Sequence, residues 1–258
     1  MRIVPIGFNP LKTTMQKTSF QEKPILPTLK CDTVSFGATA NQAKKVIILL
    51  GAPNSGKGTY GRKIAEKYAI PQISTGDILR GEVKKMSKLG IEAKRYMESG
   101  GLVPDELIMK IFQQRILEKD CQRGFILDGF PRTINQAEQL DEILKKDKNI
   151  ALKIINLDVD RDILFARSAN RYICADCSKT HAVKEGYNPE TSKCDCGGKL
   201  IKRADDTPEV LASRLDSYEK QTLPLVDYYG EQVSNVGVYG KDSPVDEILG
   251  RINKILEK

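Results

Sequence analysis

The sequence predicts an α/β protein, a parallel sheet covered by helices on both faces. Three observations carry that prediction. The run VIILL (46–50) is apolar throughout, as a strand buried on both faces is, and it leads through a glycine-rich turn into the helical pattern GKGTYGRKIAEKY. Further short apolar runs at 125–128 (FILD), 152–159 (LKIINLDV) and near 236–240 (VGVYG) are separated by helical segments. Finally, 258 residues are enough to bury a sizeable core, while no apolar run approaches the roughly 18 residues of a membrane helix.

Ahead of the first strand, residues 1–44 hold four prolines, eight Ser/Thr and no helical period, and they read as a flexible extension. Its six Lys/Arg against Glu22 and Asp32 give an excess of four within the net charge of +7, so only +3 is left for residues 45–258. A basic, hydroxyl-rich segment loosely resembles an organelle transit peptide, yet Lys outnumbers Arg and the prolines interrupt any amphipathic helix. A cytoplasmic location is expected, with organelle targeting by the extension as the alternative.

The turn after VIILL reads GAPNSGKGT. Gly51, Gly56 and Lys57 fit the phosphate-loop pattern G-x-x-x-x-G-K-[ST], but Gly58 takes the hydroxyl position and Thr59 follows one place late. Strand, loop and helix are the context in which successive backbone N–H groups and a helix N-terminus surround a phosphate, with Lys57 as a mobile charge.

Two further stretches narrow the class. PQISTGDILRGEV places Thr75, Asp77 and Arg80 at a loop-to-helix boundary, and FILDGFPRTINQAEQL places Asp128 at a strand end before Gly129, Arg132 and Gln136. Ligands of open parallel sheets sit beyond the carboxyl ends of the strands, so these elements are expected to face one crevice. Arg80 or Arg132 alone is read by default as a solvated arginine, and Asp128 alone as a helix cap. Beside bound phosphates, Asp128 is instead suited to hold Mg²⁺ through water.

Residues 170–203 break the α/β rhythm with Cys174-x2-Cys177, sixteen intervening residues and Cys194-x-Cys196, and they read as an inserted subdomain. Two thiolate pairs brought together across a loop suit tetrahedral Zn²⁺ better than a disulfide framework. The short second pair requires a tight bend, which Asp195 and Gly197-Gly198 allow, and it leaves Asp195 or His181 open as the fourth ligand. His181, the only histidine, reads first as an exposed residue of the insert. Cys31 and Cys121 read as ordinary thiols.

In GAPNSGKGT, ISTGDILR, LDGFPRT and RADDTPEVLASRL, taken in order, the sequence resembles the adenylate kinases, in their zinc-lid bacterial-type long form, from about residue 45 to the end. The late hydroxyl of G-K-G-T is similar to that family's loop, while Asn54 and Tyr60 depart from its commoner residues. The resemblance implies a P-loop nucleoside monophosphate kinase fold with an AMP-binding segment (about 74–103) and a zinc lid (about 170–206). It implies that Gly51, Ala52, Pro53, Asn54, Ser55, Gly56, Lys57, Gly58 and Thr59, with Arg167, Arg171 and Lys241, bind ATP, Arg167 packing on adenine. It also implies that Thr75, Arg80, Val103, Gly129, Arg132, Gln136, Arg203 and Arg214 hold AMP, with Thr75 and Gln136 selecting its base. Lys57, Asp128, Arg132, Arg167, Arg171, Arg203 and Arg214 are the implied catalytic set. Asp128, with Asp77 nearby, organises hydrated Mg²⁺, and Asp205 and Asp206 hydrogen-bond lid arginines. Cys174, Cys177, Cys194 and Cys196 are the implied Zn²⁺ ligands.

The expectation is therefore a monomeric ATP:AMP phosphotransferase, with ATP, AMP and ADP as its partners and neither nucleic acid nor membrane among them. Inside the class the rival is a kinase of another nucleoside monophosphate or a GTP-dependent relative. Outside it, a zinc-ribbon-like insert and a positive net charge suit a nucleic-acid-binding protein.

Overall fold

The computed structural model describes residues 43–177, 179–182, 188, 191–202, 206–238 and 243–258. In chain order these form β1 (Lys44–Gly51), α1 (Lys57–Tyr68), β2 (Gln72–Ser74), α2 (Thr75–Lys84), α3 (Lys88–Ser99), α4 (Asp105–Ile116), β3 (Gly124–Asp128), α5 (Ile134–Leu144), β4 (Ile150–Val159) and α6 (Arg161–Ala169). Then follow β5 (Arg171–Cys174), β6 (Thr180–Ala182), β7 (Leu200–Ile201), α7 (Pro208–Ser217), α8 (Pro224–Tyr229), β8 (Val233–Val238) and α9 (Val245–Leu256).

Five strands make a parallel sheet in the order β2-β3-β1-β4-β8. β1 lies at its centre, and its alternation explains the unbroken apolar run: Val46, Ile48 and Leu50 face one layer with Phe112, Phe125 and Leu140, while Ile47 and Leu49 face the other with Ile64 and Ile252. Burying each such side chain contributes about 1.5–3 kcal/mol. The apolar runs at 125–128 and 152–159 fall in β3 and β4, and the one near 236 lies in β8, whose expected last two residues are outside the described set. β2 was not anticipated. At three residues on the sheet edge it carries no period that a sequence could show.

Helix starts follow local chemistry. Ser74 accepts a hydrogen bond from the Asp77 amide at 3.2 Å to begin α2, and Thr133 accepts from the Gln136 amide at 3.1 Å to begin α5. Thr207 caps α7, with Pro208 in the first turn where its missing N–H costs nothing. Between α7 and α8 the helix widens into a single π turn over Tyr218–Thr222, closed by the Leu223 amide on the Tyr218 carbonyl at 2.8 Å.

The cysteine insert forms its own antiparallel sheet in the order β6-β5-β7, and among its described residues the apolar cluster is Cys174, Cys194 and Leu200 with Tyr172 packed against it. Of the expected extension, residues 1–42 lie outside the described residues, and β1 begins at Lys44.

Candidate active site

The loop after β1 is built around left-handed backbone. Gly56 has φ +102°, and a Cβ there would lie 2.9 Å from the Tyr60 ring, so the tight entry to α1 requires glycine. Asn54 adopts φ +66°, which asparagine tolerates better than most residues, and its amide donates to the Leu164 carbonyl at 3.4 Å. Lys57 curls back so that Nζ donates to the Gly51 and Ala52 carbonyls at 2.7 and 2.8 Å. Burial first, with the Arg132 and Arg171 charges adding to it and Asp128 opposing, brings its pKa from 10.5 down to about 8.

A cleft of about 1080 Å³ opens over this loop at the carboxyl ends of the strands. The site residues reach it from α1, α2, the β3–α5 connection, α6, β5 and α7. Arg80 pairs with Asp77. Arg132 donates from Nε to the Gly129 carbonyl at 2.7 Å, while its own carbonyl accepts from the Thr222 hydroxyl at 2.9 Å. Burial, then the Arg214 and Arg80 charges, hold the Arg132 guanidinium down at about 10. Arg167 donates to the Ser55 carbonyl at 3.1 Å, fastening α6 to the loop. Arg171 makes a two-pronged ion pair with the buried carboxylate of Asp206, and Arg214 stands 3.8 Å from the same group. Burial pushes the Asp128 carboxyl up, with Lys57 opposing and Asp77 reinforcing, and Gln72 donates to it at 2.8 Å.

Most of the expected residues therefore line one cavity: Gly51, Pro53, Asn54 and Gly56 to Thr59 of the loop, together with Thr75, Arg80, Val103, Asp128, Gly129, Arg132, Gln136, Arg167, Arg171 and Arg214. The side chains of Ala52 and Ser55 turn instead into the protein, at 6 % and 0 % exposure, and the Ser55 amide is spent on the Ala52 carbonyl. Thr75 donates its hydroxyl to the Gly129 carbonyl at 3.0 Å. Arg203, Asp205 and Lys241 lie outside the described residues. Sequence reasoning missed Thr222, whose hydroxyl the π turn aims at Arg132, and Asp105, which receives the Gln136 amide at 2.6 Å. Tyr60 also lines the cleft, with its ring buried and its phenol pushed upward by burial.

In the insert, the sulfurs of Cys174, Cys177, Cys194 and Cys196 all lie within 4.8 Å of one another, and the Cys174–Cys196 and Cys177–Cys194 pairs stand at 3.4 and 3.6 Å. Four thiolates at about 2.3 Å from a tetrahedral ion stand about 3.8 Å apart, so the donor set fits Zn²⁺. The short second pair closes through a hairpin: the Gly197 amide donates to the Cys194 carbonyl at 2.7 Å and the Cys194 amide to the Gly198 carbonyl at 2.9 Å. A Cβ on Gly198 would lie 2.5 Å from the Cys174 sulfur. Asp195 turns away to pair with Lys179, so all four sulfurs are available. His181, expected as an exposed residue, stands half-buried in β6 with Nε2 3.3 Å from the Cys194 sulfur. It neighbours the cluster rather than joining it.

A phosphate loop issuing from the central strand of a parallel sheet, faced by arginines from several elements and an inserted cysteine sheet, defines a P-loop nucleoside monophosphate kinase. The sequence agrees: the adenylate kinase family model matches residues 49–234. An adenylate kinase of Alkaliphilus oremlandii is 47% identical over 210 residues, 80% of this chain and 95% of that protein. One of Clostridium kluyveri is 48% identical over 215 residues, 82% and 94%, and one of Thermodesulfovibrio yellowstonii 45% identical over 214 residues, 82% and 99%. The chain belongs to the adenylate kinase family.

Proposed function

We infer that the chain reversibly transfers the γ-phosphoryl group of ATP to AMP, giving two ADP. The observation that carries this is the convergence of Lys57, Arg80, Arg132, Arg167, Arg171 and Arg214 on one cleft whose floor is the phosphate loop. An AMP phosphate oxygen attacks the γ-phosphorus as the bond to the β-phosphate oxygen breaks in line with it. No protein nucleophile is required, so the site's contribution is positioning and neutralisation of charge. The loop amides and Lys57 hold the ATP phosphates, and Arg167 packs on its base. Arg80 and Arg132 hold the AMP phosphate, while Arg171 and Arg214 serve the transferring group. Thr75 and Gln136 face the base of AMP. Asp206 keeps Arg171 in place until phosphate competes for it.

Magnesium with the nucleotide neutralises phosphate charge, and Asp128, held beside the first turn of α1 and bonded by Gln72, is the side chain suited to its water shell. The four cysteines hold a structural Zn²⁺ in a lid over about 170–206, a sheet too small to keep its shape by apolar contact alone. Closure of that lid and of the segment over about 74–103 excludes water, so that AMP rather than water accepts the phosphoryl group, and reopening limits turnover. The enzyme acts as a cytoplasmic monomer, four of its cysteines serving a metal site rather than a disulfide framework. No helix among the described residues is long and apolar enough to cross a membrane.

The test is ADP formation from ATP, Mg²⁺ and each nucleoside monophosphate in turn, with Lys57→Ala as control. Turnover with AMP that the variant abolishes is the expected result. Turnover with another monophosphate in preference to AMP overturns the assignment of substrate.

A further inference from the structure

We propose that Asp105 sets the base specificity of the monophosphate site by fixing which way round the Gln136 amide lies. Asp105 opens α4, and three donors from the start of α5 converge on it. The Gln136 side-chain nitrogen donates to Oδ1 at 2.6 Å, and the Thr133 hydroxyl and the Asn135 amide both donate to Oδ2 at 2.9 Å. On the other side of the same amide, Gln136 Oε1 accepts from the Arg132 backbone N–H at 2.8 Å. A carboxylate only accepts and a backbone N–H only donates, so both neighbours demand the same orientation. Gln136 is only 1 % exposed, so water does not compete for the two positions that Asp105 and Arg132 occupy.

The consequence concerns what the amide has left to offer. One N–H goes to Asp105 and one lone pair to Arg132, which leaves a single N–H beside a single lone pair. A 6-aminopurine presents the complement, the N1 acceptor beside the amino donor. A 6-oxopurine presents the reverse, N1–H beside a carbonyl, and would set donor against donor and acceptor against acceptor. Buried polar groups left facing their own kind discriminate strongly. This rests on the reading that Gln136 faces the base of the monophosphate. It adds that the discrimination is held in place by a residue that need not touch the nucleotide.

Asp105→Asn exchanges the acceptor at Oδ1 for an NH₂ group that donates, because Thr133 and Asn135 hold the new carbonyl oxygen at the Oδ2 position. Gln136 is then pulled one way by the introduced amide and the other by Arg132. The experiment measures kcat/KM for AMP and for inosine monophosphate, with the KM for ATP alongside, in wild type, Asp105→Asn, Asp105→Glu and Gln136→Leu. Asp105→Asn is expected to lower the AMP-to-inosine-monophosphate ratio about tenfold or more with the KM for ATP unchanged, and Asp105→Glu to restore most of the ratio. An unchanged ratio in Asp105→Asn with a collapsed ratio in Gln136→Leu overturns the role of Asp105 and leaves the base reading standing. An unchanged ratio in Gln136→Leu overturns both. An equal loss for both monophosphates in Asp105→Asn reduces Asp105 to a structural support and also overturns the proposal. In the unaltered protein, the Gln136 side-chain amide is expected to show one proton shifted downfield and slow to exchange. Two rapidly exchanging protons would contradict the proposal even if the variants do not fold.

Discussion

Nucleotide binding is expected to draw a proton onto Lys57. In the free protein its ammonium group sits deep in the loop with a pKa of about 8 against an ordinary 10.5, because burial removes it from water and Arg132 and Arg171 repel it. A triphosphate laid against the loop brings several negative charges within a few ångströms and restores the group to its ordinary range. At pH 8.5 the free lysine is about one-quarter protonated and the bound one almost fully, so about three-quarters of a proton is taken up per ATP, against almost none at pH 6.5. Calorimetric titration with ATP in two buffers of different ionisation enthalpy reads that number directly, and the apparent Kd should climb with pH above about 8. Lys57→Arg, whose charge does not titrate in this range, should abolish both effects. No buffer dependence at pH 8.5, or the same dependence in Lys57→Arg, would refute the reasoning. The same perturbation governs stability with the opposite reading. A lowered lysine pKa means that the unfolded chain binds more protons between about 8 and about 10.5, so the stability of the free protein rises across that window. Below about 8 the buried charge costs about 3 kcal/mol, at about 1.4 kcal/mol for each tenfold change in proton affinity.

Three other perturbations have defined outcomes. Removing the lid metal with a chelator should release one ion per chain and leave the Cys174 and Ala175 amides, now held by the Lys179 and Lys199 carbonyls, open to hydrogen exchange; Gly198→Ala, which drives a methyl into the Cys174 sulfur, should do the same without a chelator. Asp206→Ala strips the buried carboxylate from between Arg171 and Arg214, and chemical denaturation should show a loss of about 3–5 kcal/mol, smaller when ATP is bound. Thr222→Val leaves the Arg132 carbonyl without its hydroxyl partner and should lower kcat/KM for AMP by roughly 5- to 100-fold, with melting changed by no more than a few degrees.

The backbone of the site was legible in the sequence because its signals are short-range. A strand buried on both faces has to read as VIILL, and a turn that wraps a phosphate has to supply Gly56 and Lys57 at fixed spacing. The cysteine cluster was legible for the same reason, although Asp195 and His181 could be excluded as ligands only once Lys179 was seen to hold the one and the Cys194 sulfur to neighbour the other. What stayed hidden depends on distant partners. Asp105 reads as an ordinary acid in a helix first turn, and nothing local says that residues some 30 positions later converge on it. Thr222 reads as a polar residue two places before a proline, and only a π turn, which has no compositional mark, swings it to Arg132 across 90 residues.

Arg80, Arg132 and Arg214 line the same cleft, where burial first and then the Arg214 and Arg80 charges depress the basicity of the Arg132 guanidinium. A protein that keeps like charges together in an empty cavity is at its weakest when it has nothing to do. Every anion that arrives relieves that strain, so heat, proteases and denaturants should find the molecule most vulnerable between turnovers. In a cell that runs short of nucleotides, the enzyme's own lifetime would fall with the supply of its substrates.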